Sequence, residues 1–432
     1  MSWSNVLLIL LVCSKSVYGF SAAAATWSAL EAKLPSLAPP SQPAVYDTTT
    51  LGETPPTTTT QLTIHIDRNH WCPNCERVLF ALELKNVAYT KILVHDEYSN
   101  PKALPKLSWP DGTVQQGMED IYQMLEKIQA EYPNNGPDLY KQDISVSVDI
   151  VRASIERRFH GIMPRFTEPS TVAPYIFCNE ESRQRDGHAI VPKFKFDVCL
   201  EEIDEVLEEY DDGPFFAGSD ITAADVFWAP YVQRMAAQLP LLYEGLEPRS
   251  SKFAAIQEWL DALDEQFPCY SCKIKARAET WQHVLRTFHP ELQLLPDMTV
   301  PNLPTKSSFD ANQIWTKYAQ DKPYLEPTPI LQVAAQIIRQ RESLALAAAA
   351  ACKSIADTAT ADAALYELCS MLLDFCDDTD QEAAASKLSG NARDVASFLT
   401  SPEGLAVPRD VGVIPMQALC GLVASAPAPR IA

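Results

Sequence analysis

Leu62-Thr63-Ile64-His65-Ile66 followed by Trp71-Cys72-Pro73-Asn74-Cys75 and the face Val78, Leu79, Leu82, Leu84 decides how this chain is read. The alternation of the first run predicts a strand, and the spacing of the last predicts a helix over Cys72 to Lys85. Cys72 then falls at a helix N-terminus, where unsatisfied N–H groups and the macrodipole favour negative charge. The thiolate is the nucleophilic form of cysteine, so this position suits thiol chemistry. Pro73 fits the first turn, where its missing N–H costs nothing. Cys75 stands one turn on, placed to attack a mixed disulfide formed on Cys72. A zinc half-site has the same spacing, and the strand before and helix after favour the redox reading. His70 reads as a solvated loop histidine.

Working outward, Val87 to Val94 predicts a second strand and Tyr98 to Leu104 a short helix or turn. Lys106-Leu107-Ser108-Trp109 and Thr113-Val114-Gln115 flank Pro110-Asp111-Gly112, which has the chemistry of a tight hairpin turn. Ile121, Met124, Leu125 and Ile128 give a closing amphipathic helix. The order strand–helix–strand–helix–strand–strand–helix is that of a thioredoxin-like domain over residues 61–130. In such folds the strand facing the cysteine motif begins with a cis-proline, a costly feature kept for a purpose. Pro105 stands at that place, preceded by Leu104.

From 140 to 290 the helical period takes over. Ile144, Val148, Val151 and Ile155 share one face, and Phe196, Leu200, Ile203 and Leu207 another. Thr222 and Asp225 have the spacing of a capping box, with Ile221 and Val226 placed as its hydrophobic staple. Cys269 and Cys272 repeat the Cys-x-x-Cys spacing after Pro268 in a break between helices. They belong to a different domain from Cys72 and Cys75, and no metal site is assigned. Arg157, Arg158 and His160 read as a solvated helix end. A Pro-bearing stretch, 291–329, reads as a linker. Residues 330–432 read as a helical tail, faced first by Ile330, Val333, Ile337 and Leu344, then by Leu365, Leu368, Leu372 and Phe375.

The succession of a thioredoxin-like domain and an all-helical domain holding Phe216-Ala217-Gly218 and Ile221-Thr222-Ala223-Ala224-Asp225 resembles the glutathione transferase superfamily. With cysteine at the active position, it is similar to the omega- and lambda-like members. The resemblance implies an α/β plus all-α fold and glutathione as co-substrate. It implies thiol transfer, deglutathionylation or dehydroascorbate reduction on a small thiol or disulfide substrate, and a homodimer. It carries over Cys72 as nucleophile, Pro105 as the cis-proline and Leu104 as the residue whose backbone holds glutathione. The family places an acidic residue and a serine just before the last helix of the first domain. Counting back from Leu125 puts Gly117-Met118 there, with Gln115, Gln116 or Glu119 as substitutes after a register shift. Two other readings stand beside this one: a binding or scaffold protein on a degenerate transferase fold, and a glutathione-independent dithiol reductase.

Composition bounds these readings. The 432 residues include 47% hydrophobic side chains and 11 cysteines, and the net charge is −21. So acidic a surface repels phosphate backbones and anionic lipid heads, which argues against nucleic acid as a partner. Scattered cysteines in so long a chain fit a reducing compartment better than a disulfide scaffold. Val6 to Val12 is a short apolar run followed by Val17-Tyr18-Gly19, the pattern of a signal peptide over 1–19. Phe20 and a Ser/Thr/Pro/Ala-rich stretch to Thr60 follow, read as a transit-like disordered segment over 20–60. Together they resemble the bipartite leader of plastid proteins in algae with secondary plastids, with plain secretion as the alternative. No later stretch has membrane-span length without charge.

Overall fold

The computed structural model describes residues 24–34, 45–47, 61–67, 70–94, 104–117, 120–141, 193–209, 212–288, 293–296, 300–374, 388–401 and 412–425. The signal-peptide reading, the Ile144–Ile155 face, the Arg157, Arg158 and His160 cluster, Met118, Glu119 and Phe375 lie outside these residues. Two compact units result: residues 43–46 with 55–318, and residues 1–42 and 47–54 with 319–432.

The first unit carries a five-stranded sheet. Its strands are β1 (Val45–Asp47), β2 (Leu62–Asp67), β3 (Tyr89–Val94), β4 (Lys106–Ser108) and β5 (Val114–Gln116), ordered β1-β3-β2-β4-β5. β2 and β3 pair in parallel, Leu62 opposite Tyr89, because the helix between them returns the chain to the same edge. β4 runs antiparallel to β2, with Ile64 opposite Leu107, and β5 antiparallel to β4. The β4–β5 hairpin closes through Gly112 at φ 85, with the Asp111 carboxylate accepting the Thr113 N–H at 2.7 Å. Along β2 the neighbours Thr63 and Ile64, and Ile66 and Asp67, are all buried although they point to opposite faces, as expected for a sheet covered on both. This is a thioredoxin-like domain followed by an all-helical one.

Numbering helices in chain order, α1 is Ala24–Glu31, α2 Pro73–Leu84, α3 Ile121–Glu131, α4 Lys193–Glu208, α5 Ala223–Leu242, α6 Ala254–Gln266 and α7 Ala278–Phe288. A π-helical turn, Tyr270–Ile274, separates α6 from α7, and Cys269 and Cys272 are buried there. The capping box at the start of α5 is complete. Asp225 accepts the Thr222 N–H at 2.7 Å and its hydroxyl at 2.9 Å, and also the Phe216 N–H and Trp259 Nε1–H. Burial outweighs these four bonds and pushes the Asp225 carboxyl from the usual 3.8 up to about 6. Its protonated form is therefore favoured in the folded chain. The stability this group supplies is full below 3.8 and is lost as pH rises through about 6. In Asp225→Asn, unfolding free energy measured from pH 4 to 7 should lack a fall of about 3 kcal/mol present in the wild type. An unchanged slope in the variant would show that Asp225 is not the titrating group.

The stretch read as a linker is partly built into this unit. α8 (Ala311–Ala319) buries Trp315 and Tyr318, and Tyr318 donates its hydroxyl to the Glu83 carboxylate at 2.9 Å. Upstream, the Asn302 side chain accepts the Ala278 N–H at 2.7 Å, and Leu295 N–H bonds the Leu241 carbonyl at 2.8 Å. Prolines mark where a chain turns, not whether its intervening aromatics find a core.

The second unit is a helical bundle of α9 (Pro329–Arg339), α10 (Arg341–Ala351), α11 (Thr358–Asp374), α12 (Gly390–Thr400) and α13 (Val413–Ser425). Val333, Ile337, Leu344, Leu365, Leu368 and Leu372 are fully buried in one apolar core. The face read from Ile330 to Leu344 is divided between α9 and α10. The core also takes in Trp27, Leu30 and Leu34, so the segment expected to be disordered over 20–60 contains an ordered helix, α1. Trp27 donates Nε1–H to Asp362 at 3.1 Å and meets the Tyr366 ring edge-on at 5.4 Å. Glu31 pairs with Arg341, and Lys33 with Asp374 at 3.6 Å. An Ala-rich helix with two apolar anchors has little stability alone and gains it from this packing. Among the described residues, no helix is long and apolar enough to cross a membrane.

Candidate active site

β2 ends at Asp67, and the chain turns back over it. Asp67 accepts the backbone N–H of Trp71 at 2.7 Å on one carboxylate oxygen and that of Cys72 at 3.0 Å on the other. His70 closes the turn with its own N–H on the Asp67 carbonyl, its φ of 54 lying in the left-handed region. Cys72 is thereby set as the N-cap of α2, with extended backbone at φ −70 and ψ 113. Pro73 occupies the first turn. The Cys72 sulfur takes the role a Ser or Asp oxygen has in most caps, accepting the Cys75 N–H at 3.3 Å.

The two thiols differ in environment. Cys72 is partly exposed, whereas Cys75 is buried. Burial pushes the Cys75 thiol well up, and three further causes act in the same direction: its hydrogen bond to Cys72, and the charges of Cys72 and Asp67. Cys75 is accordingly a neutral S–H donor beside the accessible sulfur. Neither is in a disulfide.

The Leu104–Pro105 bond is cis. The cis bond immediately precedes β4, whose first residue, Lys106, pairs with His65 near the end of β2. Leu104 and Pro105 thus stand at the end of β2 from which the cysteine turn departs. The Pro105 carbonyl accepts the Gly117 N–H at 2.8 Å, fastening β5's exit to the same place. His65 on β2 is held neutral, burial and then Lys106 lowering it to about 4.

Counting back from Leu125 puts Gly117-Met118 before the last helix of the domain, and Met118 lies outside the described residues. α3 begins at Ile121, so Glu119 and Asp120 immediately precede it. Asp120 is its N-cap residue, and its carboxylate accepts the Gln116 N–H at 2.9 Å rather than a group of its own helix. Asp120 is thus an acidic residue directly before α3 that the sequence reading did not single out.

Sequence reasoning missed the support under α2. Glu76 pairs with Arg234 of α5 at 2.7 Å, both side chains buried, and also accepts from Gln233. Arg234 reaches on to the Trp71 carbonyl at 3.1 Å and lies over the Trp281 ring at 3.8 Å. Burial pushes the Glu76 carboxyl up, with Arg234 the main opposing influence. Arg77 donates Nε–H to the Phe227 carbonyl at 2.8 Å and Nη1–H to Asn74 at 2.9 Å. The helical domain thus holds the cysteine helix by charged groups. Asp67 had only one sequence signal, an acid ending the strand before the turn.

Residues 180–262 match the family model described as glutathione S-transferase, C-terminal domain. Among solved structures, the chain is similar to a trimeric glutathione transferase of Leishmania, TDR1, at 18% identity and TM-score 0.39, covering 52% of this chain and 48% of that one. It therefore spans about half the length of the Leishmania protein. It is also similar to glutathione transferase Omega 3C of Trametes versicolor, at 17% identity and TM-score 0.35 over 62% and 92% of the two chains. A third likeness is to dehydroascorbate reductase of Chlamydomonas reinhardtii, at 18% identity and TM-score 0.33 over 47% and 88%. A search of curated protein sequences finds no match. A thioredoxin-like domain with a cis Leu104–Pro105 bond is therefore followed by a helical domain whose residues 180–262, the Thr222–Asp225 capping box among them, match the C-terminal domain model of the glutathione S-transferases.

Proposed function

We propose that the chain is a glutathione-dependent thiol transferase with Cys72 as nucleophile. The observation that carries this is the partly exposed Cys72 sulfur at the N-terminus of α2, beside a buried Cys75 held as a neutral thiol. Cys72 as thiolate attacks the glutathionyl sulfur of a mixed disulfide. The S–S bond breaks, the substrate leaves as a thiol after taking up a proton, and glutathione stays on Cys72. A second glutathione, as thiolate, attacks that sulfur and leaves as glutathione disulfide, returning Cys72. A buried protonated thiol is a slow nucleophile, which favours glutathione over Cys75 for the resolving step. The dithiol-reductase reading is weakened to the same extent.

The resemblance supplies the co-substrate's seat. The Leu104 backbone would pair with its peptide part, and Asp120, at the start of α3, would meet the γ-glutamyl ammonium. Calorimetry of reduced glutathione with the full chain should show binding, weakened about tenfold or more in Asp120→Asn, the loss of one charge-assisted hydrogen bond. No binding to the wild type would remove the glutathione reading. The leader-like N-terminus supports a plastid setting for this chemistry.

A further inference from the structure

We propose that Asp67, Cys72 and Cys75 form a binding site for a borderline-soft divalent metal ion, of which zinc is the type, filled only when the chain is reduced. This goes beyond the transferase reading and does not depend on glutathione binding.

One ligand atom from each of the three residues lies within 4.8 Å of the other two. Tetrahedral zinc, with bonds near 2.3 Å to sulfur and about 2.1 Å to oxygen, needs these atoms about 3.6–3.8 Å apart. The donors therefore need to close by roughly 1 Å, within the reach of side-chain rotation about the cap. Their placement is built rather than incidental. Asp67 is fixed by the N–H groups of Trp71 and Cys72, and an ionised carboxylate has about four lone-pair sites, so a metal competes with neither bond. Those same N–H groups are the outer hydrogen bonds that orient a ligating carboxylate. Cys75 follows from the helix turn that caps on Cys72.

Two sulfurs and one oxygen select zinc, cadmium or cobalt over magnesium and calcium, which prefer oxygen alone. Asp67 and Cys75 are buried and Cys72 is partly exposed, so a fourth ligand enters from the solvent side of Cys72. Three protein ligands and an open position make an exchangeable site, not a closed structural one.

Metal and thiol chemistry then exclude each other. With both thiolates bound, Cys72 has no free sulfur for attack. A disulfide oxidant reverses this: one electron pair passes from the two thiolates to R–S–S–R, Cys72 and Cys75 join, two protons release two R–SH, and the metal ion departs. The ion would be a brake released by oxidation.

The test is titration of the reduced full-length protein with Co²⁺ without oxygen, followed by displacement with Zn²⁺. One equivalent should give a thiolate-to-cobalt charge-transfer band that zinc abolishes. Cys72→Ser and Cys75→Ser should each lose the band, and Asp67→Asn should weaken binding about tenfold or more. Cys352→Ser, a partly exposed thiol of the other unit, should keep it. Circular dichroism establishes that each variant is folded. If Asp67→Asn fails to fold, protein oxidised by diamide serves instead and should bind no metal. No band in the wild type, a band surviving in the double Cys72→Ser/Cys75→Ser variant, or equal binding after oxidation would overturn the site.

Discussion

In Cys72→Ser, the rate of glutathione transfer from a mixed disulfide should fall by about 10³-fold or more, the scale seen when a nucleophile is removed. Serine keeps the cap, since its oxygen accepts the Cys75 N–H as the sulfur does, so the fold and its melting temperature should be nearly unchanged. What is lost is the sulfur that forms the covalent intermediate, because a hydroxyl at neutral pH neither ionises nor attacks a disulfide. Cys75→Ser makes the contrast. Its serine sits buried in the first turn of α2 and removes an S–H donor without removing the nucleophile, so turnover should persist at a reduced rate. The assay is reduction of a glutathione mixed disulfide coupled to glutathione disulfide formation. Full activity in Cys72→Ser would move the chemistry elsewhere in the chain.

Arg234→Met should destabilise the first unit by about 3–5 kcal/mol, the cost of stripping a buried charge of its partner. Arg234 is fully buried and Glu76 nearly so, and their contact at 2.7 Å joins α5 to the cysteine helix. With the guanidinium gone, the main influence opposing burial is removed from Glu76, which already lies above the usual carboxylate range, and only the Gln233 hydrogen bond still favours its charge. Glu76 then takes up a proton in the folded variant, and the variant's stability falls as pH rises through that raised value. The partner change Glu76→Gln in the same background should restore part of the loss, because the unpaired charge is gone. Denaturant unfolding of the two variants at pH 6 and 8 measures both effects. Activity should fall as well, since the Trp71 carbonyl beside Cys72 loses the Arg234 donor. A loss under about 1 kcal/mol would mean that the pair is solvated in solution.

What was legible in the sequence was local. The alternation of Leu62–Ile66, the Cys72 cap, the hairpin at Asp111-Gly112 and the Thr222–Asp225 box each lie within a few residues, and each is a backbone need met by neighbouring side chains. What was not legible is distant or a matter of phase. Glu76 and Arg234 are 158 residues apart, and Glu83 and Tyr318 are 235 apart, so neither pair leaves a spacing to find. Asp120 was missed for a different reason. The apolar face of Ile121, Met124, Leu125 and Ile128 fixes the rotation of a helix but not its first residue. Asp120 makes no side-chain cap bond to its own helix that would have marked it. α1 escaped because a Ser/Ala-rich stretch has the composition of a leader whether or not its Trp27 and Leu30 find a core.

That last point sets a limit on N-terminal truncation. Trp27, Leu30 and Leu34 are members of the second unit's core together with residues of α9 and α11. A peptidase cutting after Gly19 would leave all three in place. One cutting beyond Leu34 would remove a buried tryptophan and leave the Asp362 carboxylate without its indole donor. The bundle at the far end of the chain thus acts as a gauge of how much of the beginning can be trimmed.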